Sequence, residues 1–413
     1  MVLNYVWLSM FFLAGACGLL RWLDGADPNV FATMTTALFD SAQSAVMLLI
    51  GLAGSLMFWM GILKIAEHAG AVQRVARLMA PLLRRVFPGL PMEHPAAGAM
   101  VLNFAANALG IDNAATPTGL KAMRELQTLN PNPEIASNHQ VMFMVLHAAS
   151  LTLFPVGIIA LRAAAGAAQP ADLFLPILFA SLASALGGFI SVALVQRLRL
   201  ADPVLLLMLV AAIAVPGVAL WQLSKLPAAQ MQTLSTQLAG VLLFAAILWF
   251  LALAAIKRID AWSAFIEGAR EGLASTVQIA PYLVGMLVAI GVLRASGGLD
   301  LIVGGIWSLL SWTGLPAQTA DALPTMLMKP LSGSGARGLM VETMQRFGAD
   351  SYAGRLACLF QGGTDTTFYV ISLYSGAAGL KRLRHTLPCA LIADLAGFAA
   401  AIALAALLFR PTA

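Results

Sequence analysis

LNFAANALGIDNAATPTGLK (residues 102–121) and MLMKPLSGSGARGL (residues 326–339) are two polar stretches, containing glycine, asparagine, serine and proline, inside an otherwise apolar sequence. Irregular polar backbone is tolerated at bilayer depth only where protein buries it or where it lines a watery cavity. Two such interruptions, one in each half of a chain, are typical of a transporter-like binding site at the interface between repeats. The two stretches therefore predict one shared site.

The composition places the chain among integral membrane proteins. Of its 413 residues, 60% are hydrophobic and only 10% are charged, far from the composition of soluble domains. Apolar runs long enough to cross a hydrocarbon core recur along the chain. We predict an all-α polytopic membrane protein with about nine transmembrane helices, at 4–20, 44–63, 138–161, 173–196, 203–222, 235–256, 275–293, 354–375 and 387–409.

The positive net charge is explained by orientation in a membrane. The formal net charge is +5, and with the N-terminus in the cytoplasm most lysines and arginines fall in cytoplasmic loops, as the positive-inside rule requires. The expected partner is therefore the lipid bilayer, and no nucleic acid. Cys17, Cys358 and Cys389 lie far apart in apolar runs, so we expect neither a metal site nor a disulfide framework.

The two halves of the chain resemble each other. Each contains a span, a short amphipathic segment, a second span, an amphipathic helix, an interrupted stretch and two further spans. We predict a first repeat at 1–200, a linking helix and loop at 201–234, and a second repeat at 235–413. Because the extra span at 203–222 makes the number of crossings before the second repeat odd, that repeat is expected to be inverted.

Both interrupted stretches are predicted to form re-entrant helical hairpins, at 97–127 and 320–347. Their flanks are too short to span a bilayer yet too apolar for ordinary surface loops, which are the alternative. Glycines let the backbone approach a ligand, and the free N–H groups of the helix that follows favour an anion. The candidate solute-binding residues on these hairpins are Asn103, Asn107, Asp112, Asn113, Thr116, Lys329, Ser332 and Ser334.

A polar stripe follows each hairpin on one face of a predicted helix. Its candidate binding residues are Gln361 and Thr364 in the second half, beside Asp365, and His147 and Ser150 in the first. An ionisable group within a membrane segment is costly, so Asp365, with Thr366 beside it, is the candidate ion-coupling group and should face a cavity, a cation or Lys329. The alternatives are a buried structural ion pair at Asp365 and an ordinary interior histidine at His147.

Longer motifs resemble known families. The N-terminal half resembles spore maturation protein A in KIAEHAG (64–70), HPAAGAM (94–100) and NFAANALGIDNAATPTGLKAM (103–123). The C-terminal half resembles spore maturation protein B in FIEGAREGL (265–273), PYLVGMLVAIGVLRASG (281–297), KPLSGSGARG (329–338) and QGGTDTTFYVISLY (361–374). The chain is thus similar to a fusion of the two, except around 200–235. Both families carry the nucleoside recognition, or gate, domain.

This resemblance implies a fold. In concentrative nucleoside transporters, which share the domain, two opposed hairpins and two broken helices surround the nucleoside and a coupling cation. By resemblance, 97–127 and 320–347 would be the hairpins, and 140–161 and 354–375 the helices that face them. The acidic and amide-rich hairpin-tip pattern of those transporters is not evident in this sequence, so the expected solute class stays wider than nucleosides.

We therefore expect a secondary transporter in a bacterial plasma membrane. It would move a small polar or anionic solute (nucleoside-like, amino-acid-like or a small carboxylate) by alternating access. We expect no cofactor beyond a coupling Na⁺ or H⁺, and no enzyme activity, although Ser334 as nucleophile with His147 or His385 as base is an alternative. A further alternative is a non-transporting component of an envelope or spore-maturation-type complex. The amphipathic segments at 30–43, 66–86 and 300–312 either lie on the membrane surface or form a homodimer contact.

Overall fold

The structure, a computed structural model, describes residues 2–91, 93–109, 112–198, 202–223, 225, 228–310, 312 and 314–409. Over these residues the chain is helical and contains no strand. The helices in chain order are α1 Val2–Leu23, α2 Val30–His68, α3 Ala71–Val86, α4 Pro95–Leu109, α5 Asp112–Thr128, α6 Asn138–Ala149, α7 Val156–Ala164, α8 Phe174–Val195, α9 Pro203–Leu223, α10 Ala228–Ile256, α11 Ala261–Ala295, α12 Gly298–Leu310, α13 Thr319–Met328, α14 Gly333–Phe347, α15 Tyr352–Gly362, α16 Thr367–Ala378 and α17 Thr386–Leu408.

The apolar helices identify a multi-pass membrane protein. In the described part of the chain, the helices long and apolar enough to span a bilayer are Val30–His68, Phe174–Val195, Thr236–Ile256 and Thr386–Leu408, with a fifth if the pair Leu283–Ala295 and Gly298–Gly305, bent by 85°, is one span. Large apolar side chains such as Phe12 and Ile50 are exposed on the outside, as expected where lipid covers them. The predicted total of about nine crossings is not confirmed.

The order of helices is the same in both halves. Helices α1–α8 correspond in order to α10–α17, and α9 lies between the two sets. The corresponding helices α2 and α11 pack side by side in antiparallel directions, and so do α8 and α17. The contacts that define these directions are Gly61 with Phe265 and Gly291 with Ser41 in the first pair, and Ser184 with Gly397 and Ser191 with Cys389 in the second. The inverted relation of the repeats and their boundaries at 200 and 235 stay predictions.

Two predicted spans are broken in the structure. The segment predicted at 138–161 is divided into α6 and α7, and the segment predicted at 354–375 is divided into α15 and α16. The predicted separate amphipathic segment at 30–43 is wrong, because these residues are the first part of the 39-residue helix α2. Their polar face is partly occupied by α11, since Ser41 lies against Gly291.

Each predicted hairpin region is a pair of helices packed into a core that both halves build. The pair α4–α5 packs with Phe143 of α6 and with Tyr374 of α16. The pair α13–α14 packs in a second core that contains Leu356 of α15 and Leu161 of α7. Residues from both halves therefore hold each helix pair in place, whereas its re-entrant position in a membrane stays a prediction.

Candidate functional site

The first break, between α6 and α7, is caused by its local sequence. Ser150 follows α6 with a positive φ of 42°, which ends the helix. Pro155, just before α7, has no N–H group and so cannot donate to a helix that continues through this point. The backbone between them is satisfied by another element, because the N–H of Leu153 donates to the carbonyl of Ala108 on α4 at 3.0 Å. The break therefore lies against the first helix pair.

The second break, at 363–366 between α15 and α16, is held by both halves of the chain. The N–H of Asp365 donates to the carbonyl of Ala148, in the last turn of α6, at 2.8 Å. The N–H of Phe368 donates to the carbonyl of Pro330, in the turn between α13 and α14, at 3.0 Å. Backbone hydrogen bonds thus join one break to the other and to the second helix pair.

A polar cavity of about 170 Å³ lies where the two breaks meet. The candidate residues from the sequence analysis that line it are Asn107, Ser150, Lys329, Gln361, Thr364 and Asp365. The remaining lining residues, which were not predicted as site residues, are Thr152, Phe154, Pro155, Val156, Gly157, Ile158, Arg337 and Gly362. The Phe-Pro step before α7 and the Gly-Gly step at the end of α15 were the available signals, since both residue pairs interrupt helices.

The cavity combines two cations with one carboxylate. Lys329 is only 4% exposed, and it lines the cavity together with Arg337 and Asp365. The first turn of α7 also forms part of the wall, and the N-terminal end of a helix carries partial positive charge. Among the described residues, the Oε1 atom of Gln361 is buried and has no hydrogen-bond partner. The wall therefore offers positive charge, and Gln361 holds an acceptor that a ligand reaches only if the side chain rotates.

A histidine network lies beside the cavity. His147 Nδ1 is 2.9 Å from Asn103 Oδ1, and the Tyr374 hydroxyl is 3.3 Å from the same nitrogen. Asn103 Nδ2 donates to the carbonyl of Ala115 on α5 at 2.6 Å. Asn107 Nδ2 is 3.1 Å from His147 Nδ1, and Asn107 itself also lines the cavity. His147 and Asn103 thus join α4, α5, α6 and α16, and they position the cavity wall through the contact of His147 with Asn107.

The two candidate serines act within the second helix pair. Ser332 is the N-cap of α14, where its hydroxyl accepts a hydrogen bond from the N–H of Gly335 at 3.0 Å. The Ser334 hydroxyl lies 3.3 Å from the Ser332 hydroxyl. Capping satisfies a backbone N–H group that has no partner within the helix. Neither serine is part of the cavity lining.

The remaining predicted site residues lie outside the cavity lining or outside the described side chains. Thr366 is the N-cap residue of α16 and is buried beside Gly333. Thr116 is exposed on α5, away from the cavity lining. The side chains of Asp112 and Asn113 lie outside the described part of the structure, so their predicted roles stay predictions.

We expect Ser332→Ala to lower the free energy of unfolding by about 1 kcal/mol, because it removes an N-cap. Ser332→Gly should cost only a few tenths of a kcal/mol, since glycine is tolerated at this position. Thermal unfolding of the purified variants measures both. A Ser332→Ala protein of unchanged stability that no longer bound its ligand would contradict the capping role and restore the predicted role in binding.

A second carboxylate, not predicted as a site residue, lies on α17. Asp394 is 1% exposed. The hydroxyl of Thr364 donates to its Oδ1 atom, and the hydroxyl of Thr367 donates to its Oδ2 atom at 2.6 Å. An ionisable residue inside an apolar run was a visible signal, but its partners lie in the second break and at the start of α16 and were not readable from the sequence.

Comparison with known proteins gives the family. The model of the family described as Gate, nucleoside recognition, matches residues 49–165 and 276–381, which together make up more than half of the chain. Spore maturation protein B of Bacillus subtilis (strain 168) is 41% identical over 172 residues, covering 90% of that protein and 42% of this chain. Spore maturation protein A of the same strain is 32% identical over 189 residues, covering 93% of that protein and 46% of this chain. No solved structure matches. The chain belongs to the Gate, or nucleoside recognition, family.

Proposed function

We propose that the protein is a secondary transporter that moves a small polar or anionic solute by alternating access in a bacterial plasma membrane, with its N-terminus in the cytoplasm. The observation that carries this proposal is the polar cavity between two broken helices, lined by Lys329, Arg337, Gln361 and Asp365. Broken helices at bilayer depth are tolerated where they line such a cavity. Their ends supply partial charges to a bound solute in other transporters.

The lining favours a solute that carries both an anionic group and a hydrogen-bond donor. Lys329, Arg337 and the first turn of α7 would bind a carboxylate or another anion. Gln361 lines the cavity, and rotation of its side chain would let its unpaired Oε1 atom accept from an N–H or O–H group, which a hydroxyl, an amine or a nucleobase supplies. Amino-acid-like solutes and hydroxylated small carboxylates meet both conditions, and a nucleoside-like solute meets the second.

Alternating access would follow from the arrangement of the two helix sets. The antiparallel pairs α2–α11 and α8–α17 support an inverted repeat, since an axis in the membrane plane relates corresponding helices in opposite directions. Asp365 faces the cavity and would contact a coupling Na⁺ or H⁺. We propose no other cofactor.

The intramembrane-enzyme alternative has weaker support. The hydroxyl of Ser334 lies beside Ser332, whereas His147 belongs to the network with Asn103 and Tyr374. A nucleophile and its base should approach within hydrogen-bond reach, and the contacts of these two residues are with other groups. We therefore propose that the protein is not an enzyme.

Ligand-induced thermal stabilisation tests the proposal. The full-length protein in lipid nanodiscs would be heated with nucleosides, amino acids and small carboxylates, at varied sodium concentration and pH. A solute present at 100 times its Kd should add about 2.7 kcal/mol of stability. Lys329→Met and Gln361→Met should each lower the affinity for the stabilising solute by roughly tenfold or more, since each removes a hydrogen bond or ion pair to the ligand. Lys381→Met, at an exposed lysine, is the matched control.

Transport itself needs a second measurement. The solute that stabilises the protein should accumulate in proteoliposomes, and Asp365→Asn should remove the dependence on the coupling cation. If no solute or cation shifts the unfolding temperature and no uptake occurs, the transporter proposal is wrong. The protein would then be a non-transporting membrane component of an envelope or spore-maturation-type complex.

A further inference from the structure

The buried carboxylate of Asp394 occupies a place where both halves of the chain meet. It lies on α17, and its two oxygen atoms accept hydrogen bonds from Thr364, within the second helix break, and from Thr367, the first residue of α16. The Thr364 hydroxyl is also 3.2 Å from the carbonyl of Ala148, which belongs to the last turn before the first break. A continuous row of oxygen atoms therefore connects α17, the second break and α6.

This row of oxygen atoms has fewer hydroxyl protons than oxygen–oxygen contacts. The Thr364 hydroxyl oxygen lies close to an Asp394 oxygen and to the carbonyls of Ala148 and Asp365, the latter at 3.3 Å. The Thr367 hydroxyl makes the remaining contact, with the second carboxylate oxygen. A threonine hydroxyl has one proton and can donate only once. With Asp394 ionised, two hydroxyl protons serve four oxygen–oxygen contacts, and Thr364 has to choose between acceptors.

One added proton on Asp394 reverses the hydrogen bond between Asp394 and Thr364. A protonated carboxyl group donates to the Thr364 oxygen, which frees the Thr364 hydroxyl proton to bind the Ala148 carbonyl. The contact between the second break and α6 then gains a hydrogen bond that the ionised form lacks. Because Ala148 already accepts from the N–H of Asp365, the added bond strengthens an existing junction between the two halves.

We propose that Asp394 is a proton-binding site, distinct from Asp365 in the cavity wall, whose protonation switches the Thr364 hydroxyl from Asp394 to the carbonyl of Ala148. Of the two carboxylates, Asp394 is the one removed from water, since it is 1% exposed and lies behind Thr364, whereas Asp365 faces the cavity. Charge on a buried carboxylate is costly, so the neutral form is favoured at the more buried position.

A proton fits this place better than a metal cation. Both carboxylate oxygens are already at hydrogen-bond distance from a hydroxyl, so a proton enters without displacing any atom. A cation would have to separate oxygen atoms that are in contact.

The charges that act on Asp394 are Lys329 and Asp365. The other titratable or charged groups on the helices packed against α17 are His139 and His147 on α6, Tyr352, Arg355 and Cys358 on α15, and Tyr369 and Tyr374 on α16, whereas α8 and α10 carry none.

Infrared difference spectroscopy of the full-length protein in nanodiscs tests this site without any solute. We expect a carbonyl band of a protonated carboxylic acid that disappears as the pH is raised. The band should be absent in Asp394→Asn and still present in Asp365→Asn, where loss of the neighbouring charge moves only the pH at which it disappears. Asparagine can donate to Thr364 and accept from Thr367, so the variant should fold. If Asp394→Asn does not fold, Thr364→Val and Thr364→Ser replace it: the valine variant should shift the band frequency, and the serine variant should leave it in place.

The outcomes separate this inference from the proposed function. Loss of the band in Asp365→Asn but not in Asp394→Asn would overturn the inference, and so would the absence of any titrating band. A sodium-dependent change at constant pH that Asp394→Asn abolishes would overturn it in favour of a cation site. The role of the proton in transport rests on the proposed function, whereas its binding does not. A titrating Asp394 in a protein that binds no solute would therefore leave this inference standing and the transporter proposal wrong.

Discussion

Replacing Arg162 by methionine should lower the free energy of unfolding by about 3–5 kcal/mol, the cost of breaking a buried ion pair by removing one partner. Arg162 is fully buried on α7, and its guanidinium donates to Asp172 and Asp350, at 2.9 Å in each case. It also donates to the carbonyl of Ala349 at 2.6 Å. The variant leaves Asp172, itself 1% exposed, without the closest of its charged partners, while its pair with Arg355 remains. The loss would separate the loop at 348–351 from α7.

An exposed ion pair provides the control for Arg162. Lys381 pairs with Glu134, and their side chains are 70% and 59% exposed. Because water screens such a pair, Lys381→Met should cost less than about 1 kcal/mol. Arg162→Lys should fall between the two, since it keeps the charge but loses the planar fork that reaches several acceptors at once. Thermal unfolding in one detergent or nanodisc preparation compares all three. Equal losses in Arg162→Met and Lys381→Met would contradict the structural role of the buried group.

Replacing Gly268 by leucine should prevent α2 and α11 from packing and should cost about 3 kcal/mol or more, the upper range for overpacked cores. Even a single methyl group at Gly268 would lie 2.3 Å from the carbonyl oxygen of Met60, which belongs to the backbone and cannot rotate away. One helical turn later, a methyl group at Gly272 would lie 2.7 Å from the carbonyl oxygen of Leu56. Small residues at this spacing are what allow membrane helices to approach closely.

Gly54 provides the matched control for Gly268. It lies on α2, is exposed, and has no other atom within 4 Å of the position a methyl group would take. Gly54→Leu should therefore leave the unfolding temperature nearly unchanged in the same preparation, because its side chain extends into lipid. The measurement is the yield of monodisperse protein together with its unfolding temperature. A stable, well-behaved Gly268→Leu protein would contradict the close α2–α11 contact.

Local sequence was sufficient for the class of the protein and for the positions of the two helix pairs. Apolar runs predict helices in a membrane whatever their partners are, because each helix satisfies its own backbone hydrogen bonds. The turn predicted around Gly110 falls at the boundary between α4 and α5, and residues 329–332, which lead into the Gly-Ser-Gly run, separate α13 from α14. Asp365 was predicted from its cost in a membrane segment, and it lines the cavity.

The two broken helices were each predicted as one continuous span. The runs at 138–161 and 354–375 are apolar enough to be counted as spans, and a single Pro155 or a Gly-Gly step is compatible with a kinked helix as well as with a break. Hydrogen-bond acceptors elsewhere in the structure stabilise a break rather than a kinked helix at both places. Ala108 and Pro330 accept the N–H groups of Leu153 and Phe368, which the breaks release.

Sequence alone therefore determined the helical membrane class, the two interrupted stretches and the candidate residues Lys329, Gln361 and Asp365. Only the tertiary structure decided that these side chains share one cavity with Asn107 and Ser150, from the other half of the chain. It also decided that Ser332 caps a helix and that Asp394 is bound by two threonines. The physical reason is distance along the chain: helix periodicity sets which face each residue occupies, whereas the packing of α2 on α11 and of α8 on α17 sets which faces meet.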